Sequence, residues 1–252
     1  MGHSHVHSVS FVGAGPGAAD QLTLGALKAI SAADVVIHDR LVGDEVLALI
    51  PSRVRQINVG KEGFGPSTSQ ASINDTLVAE ALTGARVVRL KGGDCGIFGR
   101  LDEEIEALEA HNITISIIPG LTSATVAAAR IGQSLTRRGR NASLRILTGH
   151  DMAGFAEQDW RGLTRRGEVA AIYMGKKSAR FIQGRLLMHG AAAETPVTLV
   201  ENVSRADERV LAATLATLHE AAAQTIGPAV ILFGLAPRRA ASVLTQLKEA
   251  RA

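Results

Sequence analysis

Gly13-Ala14-Gly15-Pro16-Gly17-Ala18 follows an apolar run at residues 9–12, and its spacing satisfies the G-x-G-x-x-G/A pattern that brings bare backbone against a dinucleotide pyrophosphate. Asp39 stands roughly 20 residues further on, where such a site keeps its ribose-binding acid. The intervening residues argue the other way. A dinucleotide loop opens its helix on the last small residue, whereas Ala18-Ala19-Asp20-Gln21-Leu22-Thr23 separates the pattern from the next apolar periodicity, with Asp20 or Thr23 as the cap. On this motif alone, an oxidoreductase and a glycine loop of other purpose stand level.

A second glycine loop breaks the tie. Val87-Val88-Arg89-Leu90-Lys91 runs into Gly92-Gly93-Asp94, then Ile97-Phe98-Gly99-Arg100 and a helix that begins near Asp102. Two glycines at the carboxyl end of a strand let a ligand approach the backbone, and open α/β sheets bind ligands at those ends. A tight strand-to-helix turn is the plainer account of the loop taken singly. Two such loops on separate strands of one sheet suggest two walls of a single pocket.

These loops need strands and helices to carry them. Strand patterns at residues 9–12, 35–37, 55–59, 86–90 and 115–118 alternate with helical patterns at 22–32, 45–50, 69–82 and 102–110, with 122–130 following Pro119-Gly120. The alternation predicts a mostly parallel sheet with helices on its faces. The second half predicts strands at 144–148, 169–173, 196–201, 209–214 and 229–234, and helices at 178–189, 215–223 and 242–250. The 209–214 strand returns after a short polar turn, so the second sheet is expected to be mixed. The expected organisation is a tail or tag remnant over residues 1–8, an N-terminal α/β lobe over 9–120, a C-terminal α/β lobe over 121–252, and an active-site cleft between the lobes.

With 46% hydrophobic and 20% charged residues, the 252-residue chain falls in the ordinary globular class. The net charge of +3 is spread along the sequence, and one Trp, one Tyr and six Phe give little material for stacking bases, so no nucleic-acid partner is expected. No leader pattern and no apolar run of membrane-spanning length is found, which predicts a protein with no membrane partner, in the cytoplasm. Cys95 is the single cysteine and excludes both an internal disulfide and a cysteine zinc cage. His3, His5 and His7 could chelate a metal, but as part of a frayed tail they read as no site, and no metal is expected.

The ordered motifs GAGPG (from Gly13), ADVVIHDRLV (from Ala33), VGK (from Val59), VVRLKGGD (from Val87), IFGR (from Ile97), IPGLTSA (from Ile118), TGH (from Thr148), YMG (from Tyr173), TPV (from Thr195), VEN (from Val200) and GPAVILFG (from Gly227) closely resemble uroporphyrinogen-III C-methyltransferases. The resemblance covers nearly the whole chain, from about Val9 to Ala236. It implies the tetrapyrrole methylase fold, S-adenosyl-L-methionine as methyl donor with S-adenosyl-L-homocysteine as product, a tetrapyrrole substrate and a homodimer. The implied activity is methylation of rings A and B, giving precorrin-2 by way of precorrin-1. The chain departs from the family pattern at Ala18, Cys95-Gly96, Leu101-Asp102, Lys177 and Val203.

Carried onto matching positions, the resemblance implies a cofactor site of Pro16, Gly92, Gly93, Asp94, Ile97, Thr122, Ser123, Met174 and Ala229. It implies proton handling by Asp39 and Lys61, whose ordinary alternatives are a helix cap and a solvated lysine. Arg40, Arg89, Arg100, Arg137 and Arg138 are candidates for gripping substrate carboxylates, because a guanidinium can hold a carboxylate bidentately. The Arg137-Arg138-Gly139-Arg140 run reads equally as a solvated turn. Cys95 reads as a packed thiol, since methyl transfer from a sulfonium needs no covalent enzyme intermediate. Three rival functions remain: a methylase of a later corrinoid intermediate, a flavin or nicotinamide oxidoreductase on the first glycine loop, and a non-catalytic tetrapyrrole carrier.

Overall fold

A computed structural model of the chain describes residues 7–60, 69–152 and 154–238. Lys61, His3, His5 and the helix expected at 242–250 lie outside the described residues. The chain forms two compact units, Met1–Ser123 and Ala124–Ala252.

In the first unit the order is β1 (Ser8–Gly13), α1 (Leu24–Ala32), β2 (Val35–His38), α2 (Asp44–Leu47), β3 (Arg55–Asn58), α3 (Gln70–Leu82), β4 (Val87–Lys91), α4 (Leu101–Glu109) and β5 (Thr114–Ile118). The strands form one parallel sheet in the order β3-β2-β4-β1-β5, as the alternating pattern predicts. The pleat sends successive side chains to opposite faces. Val12, Val36, Val88 and Leu90 therefore pack with Ala26 and Ile30 of α1 and Val46 of α2. Val9, Phe11, Val35, Ile37 and Val87 pack with Leu77 of α3 and Leu108 of α4. Helix α1 starts two residues later than the apolar pattern suggests, because the Thr23 hydroxyl accepts the Ala26 N–H at 3.1 Å and caps it, after a single 3-10 turn at Ala19–Gln21. His7, counted with the tail in the sequence, is tied into this unit: its carbonyl accepts the Thr114 N–H at 2.9 Å.

The second unit runs through α5 (Ser123–Arg130), β6 (Arg145–Thr148), β7 (His150–Asp151), β8 (Gly154–Phe155), α6 (Trp160–Leu163), β9 (Ala170–Tyr173), α7 (Ala179–Met188), β10 (Pro196–Glu201), β11 (Arg209–Thr214), α8 (Leu218–Ala223) and β12 (Ala229–Phe233). Its main sheet is β11-β10-β12-β9-β6, antiparallel except for the β6–β9 pair, so it is mixed. The β7–β8 hairpin has no counterpart in the sequence reading, because two-residue strands carry no periodicity. Among the described residues no helix is long and apolar enough to cross a membrane.

Loop packing at the carboxyl ends of β1, β4 and β5 is close enough to require glycine. A Cβ on Gly120 would meet Gly13 and the Gly93 carbonyl, whereas Gly184, inside α7, has open space around it. Gly120→Ala is expected to destabilise the protein by at least about 1–3 kcal/mol through overpacking. Gly184→Ala is expected to stabilise it by roughly 0.5–1 kcal/mol through helix propensity. Urea unfolding curves check both signs.

Candidate active site

The glycine loops after β1 and β4 touch each other directly. Gly15 N–H donates to Gly93 O at 3.1 Å and Gly93 N–H to Gly15 O at 2.7 Å, forming an isolated antiparallel bridge. The two loops are thus one joined floor rather than separate walls, and Gly92 packs its Cα against Leu41 on the loop after β2. Gly93 has φ +73°, and among the described residues only the Ser123 hydroxyl, 3.9 Å away, approaches the place its Cβ would take. That opening suits a ligand that presses on backbone.

Asp94 holds this floor together. One carboxylate oxygen accepts Gly96 N–H and the other accepts Gly120 N–H, both at 2.9 Å, tying the β4 loop to the turn after β5. Ile97, Thr122 and Ser123 are half-buried around it, while Pro16 is buried. Phe98 and Arg100 both adopt the left-handed backbone, with φ of 52° and 54°, a conformation that non-glycine residues hold only where surrounding structure imposes it. Three exposed apolar side chains, Leu41, Phe98 and Leu121, stand on the loops after β2, β4 and β5. Cys95 is buried in the core that α3 and α4 cover. Burial, with the Asp94 charge beside it, pushes its thiol up, so it stays protonated.

Asp39 follows β2 at the same sheet end. Its Oδ1 accepts the Leu41 N–H at 2.8 Å, a local turn contact, and its Oδ2 lies 3.9 Å from Arg89 Nη1. Arg89 is only 3% exposed. Its Nε and Nη2 donate to Glu104 of α4, and its Nη1 donates to the carbonyls of Ile37 and Leu90. The structure therefore sets Arg89 against a protein carboxylate, where the sequence suggested one from substrate. Lys91, equally buried, gives Glu104 Oε1 a 2.8 Å bond. Burial above all, then the neighbouring Arg89 charge, lowers the Lys91 pKa against the opposing pull of Glu104. Gln70 Nε2 of α3 adds a 3.3 Å contact to Glu104.

Sequence reasoning missed Glu104 and Lys91. The usable signal was periodicity. Leu101, Glu104, Ile105 and Leu108 fall at i, i+3, i+4 and i+7 of α4, which puts an acid within the apolar stripe. The other candidate arginines of this unit lie at the surface. Arg40 is exposed, and Arg100 is engaged bidentately by Glu103 at 2.7 and 2.6 Å.

In the second unit, Met174 follows β9 with φ 52° and is 51% exposed. Beside it the Tyr173 hydroxyl accepts the Ala124 N–H at 2.9 Å. Ala229 opens β12 opposite Glu201 of β10, whose buried carboxylate accepts the N–H groups of Ile226 and Gly227 and thereby holds the loop before Ala229. Arg137 and Arg138 line a surface cavity of about 520 Å³ with Arg140, Arg166 and Gly167. Gly167 precedes β9 and Met174 follows it, so this unit sets the arginine cluster and Met174 at opposite ends of that strand.

A family described as Tetrapyrrole (Corrin/Porphyrin) Methylases matches residues 8–219. The siroheme synthase of Edwardsiella ictaluri (strain 93-146) is 45% identical over 226 residues, covering 90% of this chain and 49% of the relative. The chain thus spans about half the length of the curated relatives it matches. The structure of uroporphyrin-III C-methyl transferase from Thermus thermophilus complexed with S-adenyl homocysteine is 34% identical with a TM-score of 0.77, covering 90% of this chain and 96% of that one. A cobalt precorrin-4 methyltransferase shares the fold, with a TM-score of 0.81 at 24% identity.

Glu104→Gln would leave two buried cations facing an uncharged amide. Removing one partner of a buried ion pair costs about 3–5 kcal/mol, so this variant is expected to lose that much in urea unfolding. Arg89→Met leaves Lys91 and Glu104 as a balanced pair and is expected to lose less.

Proposed function

The chain belongs to the tetrapyrrole (corrin/porphyrin) methylases, and on that premise we propose that it methylates uroporphyrinogen III on rings A and B with S-adenosyl-L-methionine, giving precorrin-2 by way of precorrin-1. The product serves sirohaem or cobalamin biosynthesis. The observation that carries this reading is the gathering, at one end of the parallel sheet, of the Gly93 opening, the Ser123 hydroxyl and the Asp39 carboxylate. Open backbone at Gly93 suits the donor's polar groups, and the resemblance to the family adds Met174 as the proposed apolar cover for its adenine. Pro16, Gly92, Asp94, Ile97, Thr122 and Ala229 complete the proposed donor site.

The donor supplies a methyl group already activated on a sulfonium. What remains for the chain is to hold an electron-rich pyrrole carbon in line with that methyl, at a near-attack distance of about 3–3.5 Å. Leu41, Phe98 and Leu121 offer apolar contact to the macrocycle, and Arg40 and Arg100 are the proposed grips for its carboxylates; Arg137 and Arg138, at the other end of β9 from Met174, are not among them. Each transfer leaves positive charge on the macrocycle, relieved by loss of a meso proton. Asp39 accepts that proton or stabilises the charge, and Lys61 grips a substrate carboxylate or supplies a proton. By the same premise the protein works as a homodimer, and its single cysteine suits a reducing compartment such as the cytoplasm.

Anaerobic incubation with uroporphyrinogen III and trideuteromethyl-labelled donor tests the reading. Mass analysis is expected to show two labelled methyl groups on the tetrapyrrole, and no label there contradicts it. Asp39→Asn is expected to lower kcat by about 10²–10⁴-fold, the range of a lost general base, while S-adenosyl-L-homocysteine binding by calorimetry is retained. Lys61→Ala is expected to raise KM more than it lowers kcat.

A further inference from the structure

Resting on the reading of Asp39 as the proton-handling group, we propose that Arg89 is a positioning residue for methyl transfer, which fixes the Asp39 carboxylate from within the protein and takes its own place from Glu104 and Lys91. The buried cluster is unbalanced by itself. Arg89 and Lys91 bring two positive charges to the single carboxylate of Glu104, and the charge that completes the set is Asp39, 3.9 Å from Arg89 Nη1.

Arg89 has little freedom to do otherwise. Two of its nitrogens are committed to Glu104 and the third to the carbonyls of Ile37 and Leu90, at the ends of the two strands that flank the site. Asp39 is consequently held by a hydrogen bond on one oxygen and faced by a charge on the other. Oδ1 takes a backbone N–H at 2.8 Å, while Oδ2 faces a guanidinium too distant to hydrogen-bond. That separation orients the carboxylate by charge and leaves no Arg89 hydrogen bond to be broken when Oδ2 takes a proton.

A double-mutant cycle tests this on the full chain, with Arg89→Met, Asp39→Asn and the double variant assayed for kcat, KM and S-adenosyl-L-homocysteine binding. Arg89→Met is expected to lower kcat by about 10–100-fold, as misplacement of a reacting group does, with KM and product binding near the parent values. The double variant is expected to be no slower than Asp39→Asn alone. Losses that multiply in the double variant overturn the proposal, as does an Arg89→Met variant that raises KM at parental kcat. An Asp39→Asn variant with the parent rate overturns the reading of Asp39 and the proposal with it. Should Arg89→Met not fold, Arg89→Lys carries the same cycle. It keeps a cation on Glu104 while withdrawing the planar fork from Asp39, and the same two outcomes decide.

Discussion

Arg89 and Lys91 are two residues apart on β4, so the pleat turns both onto the face covered by α3 and α4. A cation in such a place is costly unless it is paired. Glu104 meets both, and by doing so it sets more than a local balance. Lys91 ends the strand and Glu104 lies in the first turns of α4, so their bond closes the base of the loop between them. The segment containing Gly92, Gly93, Asp94 and Ile97 is therefore a clipped loop, and the left-handed backbone at Phe98 and Arg100 belongs to that closure.

The glycines act within the same constraint. Gly13 and Gly120 are small because backbone occupies the space beside them, and Gly92 because the loop after β2 lies on it. Among these, Gly93 keeps an open side as well as a positive φ. Asp94 likewise spends its carboxylate on two backbone N–H groups, so it shapes the floor on which a ligand would rest. The same few residues shape all three loops.

The parallel first sheet and the mixed second sheet were legible in the sequence, because buried strands and helices carry apolar periodicity and the turns between them carry glycine, proline and caps. The candidate site was legible as a set of loops and a set of residue types. What was not legible was which charges turn inward. Asp102, Glu103 and Glu104 look alike in sequence, yet Glu103 pairs with Arg100 near the surface while Glu104 is buried beneath β4. Arg89 reads as a free cation because nothing in its spacing reveals the partner 15 residues later. The buried Glu201, which holds the loop before Ala229, is hidden for the same reason. Tertiary pairing of single side chains leaves no periodic trace.

We propose that the methyl donor rests on the joined loops at the carboxyl end of the first sheet, with Asp39 fixed beside them. Hydrogen exchange followed by mass spectrometry, with and without S-adenosyl-L-homocysteine, tests it most directly. Exchange in residues 92–98 and 120–123 is expected to slow when the ligand is bound. Unchanged exchange in both segments, with protection appearing at other parts of the chain, would contradict it.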